Sequence, residues 1–240
     1  MPGLYRDEGV VLKSIKLGEA DRIVTLLTRD SGKLSAVAKG IRKTKSRFGR
    51  RLEPFTQVEL MLYRGRNLDT ITAAHIVTSF HEVRDEYARL TSASALVEMV
   101  EKISPERERL PSTYRLLVSG LQALADGKGI TVVPAFVVKL LSLSGYHPQL
   151  GLCAGCGGPE VLGGFSPSLG GAICEACWPE DRDAVRIPTS QISLMARLLE
   201  RDFGEDADPE AVFDVTQVLK GYAEYHLERP LKSLSLLAAS

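Results

Sequence analysis

Asp21-Arg-Ile-Val-Thr-Leu-Leu-Thr-Arg-Asp-Ser-Gly-Lys-Leu-Ser-Ala-Val-Ala-Lys39 is two short runs rich in Val, Ile, Leu and Thr around Asp30-Ser31-Gly32. β-Branched and aliphatic runs with a turn between them read as a hairpin, and Gly32 suits the left-handed position of a three-residue loop. Val10 to Ile15 lies just upstream across Gly18, which extends the hairpin to a meander. Downstream, Val58, Leu60 and Leu62 alternate with Glu59, Met61 and Tyr63, the period of a half-buried strand. Arg64-Gly65-Arg66-Asn67 then turns the chain into a last strand near Leu68 to Val77. Five short strands in residues 1–80 predict a small closed barrel, for which the five-stranded OB-fold is the candidate.

From His81 the period changes. Tyr87, Leu90, Ser94, Val97 and Glu101, widened by Leu96, Val100 and Ile103, predict an amphipathic helix ended by Pro105. A second helix carries Tyr114, Leu117, Leu121 and Leu124 and stops at Asp126-Gly127. A third, Pro134 to Ser144, has little polar face, which predicts the buried centre of a bundle. Further helices are expected around Ile192 to Leu199 and from Pro209 through Tyr225, with Pro230 ending the last. The fold class is therefore α+β and multidomain: a barrel over residues 1–80, then a mostly helical domain over residues 81–240 with an inserted segment at 150–180.

That segment holds all four cysteines, as Cys153-Ala-Gly-Cys156 and Cys174-Glu-Ala-Cys177. Two residues between thiolates let both reach one ion from a tight turn, and the intervening length can form a hairpin that brings the second pair opposite. The expectation is one structural Zn²⁺, with Gly155, Gly157 and Gly158 supplying positive φ where the backbone wraps the metal. Two disulfides would need an oxidising compartment, and no targeting segment is read at Met1-Pro2-Gly3. The common ferredoxin spacings are missing. Four sulfurs would also close the shell to a substrate, and the deaminase signature fails because His226 and Glu228 follow the cysteines.

A net charge of zero conceals a division. Residues 1–80 hold 15 Lys and Arg against 8 Asp and Glu, while residues 81–240 hold 15 against 22. Such asymmetry points to a basic module that meets a polyanion. Lys39-Gly-Ile-Arg-Lys-Thr-Lys-Ser-Arg-Phe-Gly-Arg-Arg51 concentrates it, with seven positive charges and no acid in thirteen residues. A phosphate backbone would relieve the self-repulsion and release counterions; the plain alternative is a solvated connection. The candidate nucleic-acid ligands are Lys39, Arg42, Lys43, Lys45, Arg47, Arg50 and Arg51, with Arg22, Arg64 and Arg66 extending the groove. Phe48 either stacks on a base or pins the connection to the barrel.

Catalysis finds no foothold: there is no Walker loop, no Gly-x-Ser-x-Gly and no carboxylate cluster of recognisable spacing. The longest apolar stretch, Val132 to Leu143, is too short for a membrane span. The expected setting is the cytoplasm, without membrane or small-molecule substrate. An RNA-binding protein with an OB-fold and a zinc ribbon is the alternative that charge alone leaves open.

Three stretches in order carry a resemblance over nearly the whole chain. Leu17-Gly-Glu-Ala-Asp-Arg-Ile-Val-Thr-Leu-Leu-Thr28, then Lys39-Gly-x-Arg-Lys43, then Leu143-Ser-Gly-Tyr-His-Pro-Gln-Leu150 running into Cys153-x-x-Cys-Gly157 resemble the RecO family of bacterial recombination mediators. The resemblance implies an OB-fold domain, a helical domain and a zinc-binding segment, whose cysteines not every member keeps and this chain does. It also implies a non-catalytic, nucleoid-associated repair protein that binds single- and double-stranded DNA and anneals complementary strands. RecR, single-stranded-DNA-binding protein and, indirectly, RecA are the partners implied.

Overall fold

A computed structural model of the chain describes residues 3–42, 46 and 48–237. These form two compact units, one running to Ala93 and including Val97–Ala125, the other comprising Ser94–Leu96 and the chain from Asp126 onward.

In the first unit, β1 (Leu4–Leu17), β2 (Asp21–Thr28), β3 (Gly32–Ala38), β4 (Gln57–Tyr63) and β5 (Asp69–Thr78) close a barrel in the order β1-β2-β3-β5-β4. Every pairing is antiparallel except β3 with β5. This is the five-stranded architecture expected of an OB-fold. The first strand is far longer than Val10 to Ile15 because it serves two neighbours. Its first half pairs with β4, from Leu4↔Tyr63 to Val10↔Gln57, and its second half with β2, as far as Leu17↔Asp21. A bulge between Val11 and Lys13 bends the strand between the two. There the Val11 backbone finds its partners outside the ladder, in Thr56 O and Phe55 N.

Inward-facing Val11, Val24, Leu26, Leu34, Ala36, Val58, Leu60, Leu62 and Ile71 fill the barrel. The β2–β3 turn falls where Asp30-Ser31-Gly32 predicted it, and Gly32 has φ +70°. A Cβ at Gly32 would also sit 1.8 Å from the Glu108 carbonyl oxygen, so tertiary approach demands glycine as firmly as the turn does.

Three helices follow the barrel: α1 (Glu82–Asp85) and α3 (Pro111–Ala125) lie in the same unit, as does α2 (Tyr87–Ile103) apart from Ser94–Leu96. Sequence reading drew the barrel's boundary at residue 80; the compact unit runs on to Ala125 because polar ties, several of them partly buried, join strands to helices. Tyr114 donates to Glu8 Oε1 at 2.8 Å, and Gln57 Nε2 donates to the same oxygen at 2.6 Å. Lys33 Nζ donates to Glu101 O at 2.7 Å, and Lys13 Nζ meets the Glu101 carboxylate at 2.6 Å. Burial, then the Glu8 carboxylate, pushes the Tyr114 phenol well above its ordinary pKa, which keeps it a donor. The buried face of α2 is Ala93, Leu96, Val97, Met99 and Val100, rotated from the expected stripe, for Tyr87 is 68% exposed.

The second unit holds α4 (Val132–Leu143), β6 (Leu162–Ser166), β7 (Gly171–Cys174), β8 (Val185–Arg186), α5 (Thr189–Glu200), α6 (Pro209–Leu227) and α7 (Lys232–Leu237). Val132 to Val138 are all buried, so α4 is the central helix its composition foretold. Its one charged residue, Lys139, donates to Leu199 O at 2.6 Å at the end of α5. Asp208 caps α6 by accepting from Ala211 N, and Pro209 opens it. Among the described residues no helix is long and apolar enough to cross a membrane.

Candidate nucleic-acid interface and metal centre

The basic connection between β3 and β4 is fixed to the barrel at several points. At its start Gly40, at φ +71°, donates its N–H to Asp21 Oδ1 at 2.7 Å. Arg42 bonds through its backbone N–H to Ala20 O and through Nη1 to Gly18 O at 3.1 Å. In its middle, Phe48 and Leu52, 1% and 2% exposed, enter the barrel core. At its end Arg84 donates to Pro54 O, Thr56 Oγ1 and Ser79 O at 2.6–2.7 Å. Nothing in the local sequence around Arg84 announces this clamp.

Phe48 is thus the apolar peg, and the base-stacking alternative is corrected: a ring buried among Val24, Leu26 and Leu60 has no face left for a base. Lys39, Arg42, Arg50 and Arg51 are exposed, whereas Lys43, Lys45 and Arg47 lie outside the described residues. Arg22 is half-buried, in register with Lys16 on β1 and Ala38 on β3. The structure therefore brings Arg22, Lys39 and Arg42 together at the β1–β2 turn and adds Lys16, which sequence reading missed because the pairing that places it is set by tertiary register.

Arg64 and Arg66 form a separate group on the β4–β5 turn. Arg64 lies over the Tyr5 ring at 5.2 Å. Beside it Asp69, fully buried, accepts from the Tyr5 hydroxyl at 2.5 Å and the Gly65 N–H at 3.1 Å, and pairs with Arg107 Nη2 at 3.1 Å. Burial raises the Asp69 pKa, but Tyr5, Arg107 and Gly65 together outweigh it and hold the carboxyl below its usual range. Arg107 was also missed, being far away in sequence; its φ of +57° is the only local irregularity it shows.

The cysteines converge. Their four sulfurs lie within 4.8 Å of one another, Cys156 Sγ and Cys174 Sγ at 4.0 Å. Tetrahedral zinc with bonds of about 2.3 Å would set sulfurs about 3.8 Å apart, so the arrangement fits such an ion. The β6–β7 hairpin delivers the second pair, and the chain before the first pair runs beside β7, with Ala172 N bonded to Gln149 O and Ala154 N to Ala172 O. Of the three glycines expected at positive φ, only Gly157 has it, at +72°. Gly155 instead eases crowding, since a Cβ there would meet Cys177 Sγ at 3.1 Å, tighter than side chains ordinarily pack. Burial pushes the Cys153 thiol up, but N–H donors from Cys156, Cys174 and Gly155 prevail and hold it at about 6. The thiols of Cys153, Cys174 and Cys156 crowd Cys177 and push it up to about 12. Crowded thiols resist ionising together; a bound cation reverses that and deprotonates them.

Models of the N-terminal and C-terminal parts of recombination protein O match residues 1–80 and 84–235. The chain belongs to the recombination protein O family. A protein of Bifidobacterium longum strain DJO10A named DNA repair protein RecO is 44% identical, with 98% of each chain covered. Proteins of the same name from Nocardioides sp. and Frankia casuarinae are 41% and 42% identical, at 97% and 98% of this chain and 98% of each relative. RecO membership gives the chain a role in DNA repair and recombination. The two RecO models meet near residue 80, whereas the barrel's compact unit reaches Ala125.

Proposed function

We propose that the chain is a non-catalytic recombination mediator that holds single- and double-stranded DNA on its barrel and anneals complementary strands. With RecR it promotes RecA loading onto strands coated by single-stranded-DNA-binding protein. The observation that carries the reading is the anchoring of Lys39–Arg51: Phe48 and Leu52 sink into the barrel, and the described charges of the connection, Lys39, Arg42, Arg50 and Arg51, remain exposed. Beside these anchors, Lys39, Arg42, Arg50 and Arg51 meet a polyanion at little further cost in chain entropy. RecO membership is what supports these partners. One Zn²⁺ held by Cys153, Cys156, Cys174 and Cys177 would staple the β6–β7 hairpin to the preceding loop; with every position of the tetrahedron taken by protein, its contribution is to folding.

The test is annealing of complementary strands carrying bound single-strand-binding protein, with wild type and with Arg42, Lys43, Lys45 and Arg47 replaced by Ala. Each phosphate neutralised contributes about −0.7 to the slope of log affinity against log salt on single strands, so four contribute about −3. The quadruple variant should show a flatter slope, weaker binding across all sequences and slower annealing. A folded variant with wild-type slope and annealing would place the DNA elsewhere.

A further inference from the structure

Between the β4–β5 turn and the α2–α3 connection lies a cleft of about 370 Å³ lined by Ser31, Arg64, Gly65, Arg66, Asn67 and Arg107. Three guanidiniums meet one carboxylate here, that of Asp69, and its oxygens are already engaged by Tyr5, Gly65 and Arg107. Of the nearby acids of the turns, Asp30 pairs with Arg109 and Glu106 with Lys33, which leaves Glu108, among the described residues, as the one acid set against Arg64, Arg66 and the half-exposed Arg107. Arg66 makes no hydrogen bond or ion pair among the described residues, and the Arg107 side chain is 41% exposed despite its bond to Asp69. Positive charge is left over in a polar recess, which suits an anion with several acceptor oxygens.

We infer that Arg64, Arg66 and Arg107 form a phosphate subsite for single-stranded DNA, apart from the Lys39–Arg51 connection. The inference rests on the DNA-binding reading above and deepens it. Among anions, the DNA backbone is favoured by position. Five-stranded barrels of this kind engage oligonucleotides through the β1–β2 and β4–β5 turns, and here the β4–β5 turn carries Arg64 and Arg66. Tyr63, half-exposed and next to Arg64, offers the aromatic face that Phe48 does not, so a base can stack beside the phosphate held in the cleft. Arg107 belongs to the segment between two helices, so part of the grip comes from outside residues 1–80. Asp69 acts as a positioning residue: it aims Arg107 and, through the Gly65 N–H, sets the turn that carries Arg64 and Arg66.

The experiment uses the full chain, a fluorescent oligo-dT strand and anisotropy titrations between 50 and 200 mM salt. Arg66→Ala should flatten the salt slope by about 0.7, and Arg64→Ala with Arg66→Ala by about 1.4. Arg107→Lys should keep the slope, whereas Arg107→Gln should flatten it by about 0.7, with thermal unfolding checking that the protein stays folded. Tyr63→Ala should weaken binding about 5- to 100-fold without changing the slope. A polyglutamate peptide is the competing probe. If it displaces a dye from wild type but not from Arg66→Ala, while oligo-dT binding is the same in both, the cleft serves an acidic protein and the inference fails. It fails too if the Arg64/Arg66 double variant is folded and binds with wild-type slope while the quadruple connection variant does not; the DNA-binding reading then stands. A wild-type chain that binds no oligonucleotide ends both.

Discussion

Replacing Phe48 with Ala separates the peg from the stacking ring. The side chain is 1% exposed and packs in the barrel core with Leu52, Val24 and Leu26. Its truncation removes a buried aromatic and leaves a cavity that the surrounding strands, hydrogen-bonded around a closed barrel, cannot collapse to fill. Phe→Ala substitutions in such sites cost about 3–5 kcal/mol. For a unit of about 120 residues that lowers the melting temperature by about 10–25 °C. Phe48→Leu, which refills most of the space, should cost about 1.5 kcal/mol. The assay is urea unfolding followed by circular dichroism, paired with oligonucleotide titrations at a temperature where each variant is folded. The titrations should show an unchanged salt slope, since no charge is removed. If Phe48→Ala left stability within about 0.5 kcal/mol of wild type and removed about 1–3 kcal/mol of DNA affinity, the ring would be a stacking platform and the peg argument wrong.

Cys153→Ser or Cys174→Ser should abolish a zinc content near one per chain and lower the melting temperature of the second unit, measured by metal analysis and calorimetry. Since the ligands must be thiolates, mild acid should release the same metal. Asp69→Asn leaves Arg107 half-paired and should cost about 3 kcal/mol at pH 7. The folded Asp69 pKa lies below the unfolded one, so its contribution is present above about pH 4 and lost as pH falls through the folded value. Urea midpoints of wild type and Asp69→Asn should therefore converge in acid; a gap independent of pH would contradict the assignment. A fragment of residues 1–125 should unfold at higher urea than one of residues 1–80, which loses Tyr114, Glu101 and Arg107 as partners of Glu8, Lys33 and Asp69; equal midpoints would return the boundary to residue 80.

What the sequence made legible was local or strictly spaced. The β2–β3 hairpin announces itself through Asp30-Ser31-Gly32, and α4 through an apolar run that leaves only Lys139 charged. Two Cys-x-x-Cys pairs carry their geometry in their spacing, and the hairpin between them follows from its length. What stayed hidden depends on partners distant in the chain. Asp69 looks like any strand-initiating acid until Tyr5 and Arg107 close on it. Phe48 sits in the most basic stretch of the protein, where its neighbours suggest a surface, yet the barrel core takes it in beside Val24, Leu26 and Leu52. Gly155 was credited with the right importance for the wrong reason, because the nearness of Cys177 cannot be read from one strand of text.

The barrel closes on a seam of two residue pairs, Ala36↔Asp69 and Val37↔Thr70, the one parallel contact in the ring. Every other edge is a long antiparallel ladder between strands that a hairpin or the doubled span of β1 brings together. A short parallel ladder joining remote segments forms late and opens at low free-energy cost. Amide hydrogens along this seam should exchange with solvent well before those of β1 and β2. Asp69 lies in the seam itself, tied to Arg107 on the far side of α2, and thus acts as a clasp: it holds the ring shut where the backbone supplies least. A single carboxylate fastening the weakest joint makes the cylinder a band that can come undone at one place while its strands stay paired everywhere else.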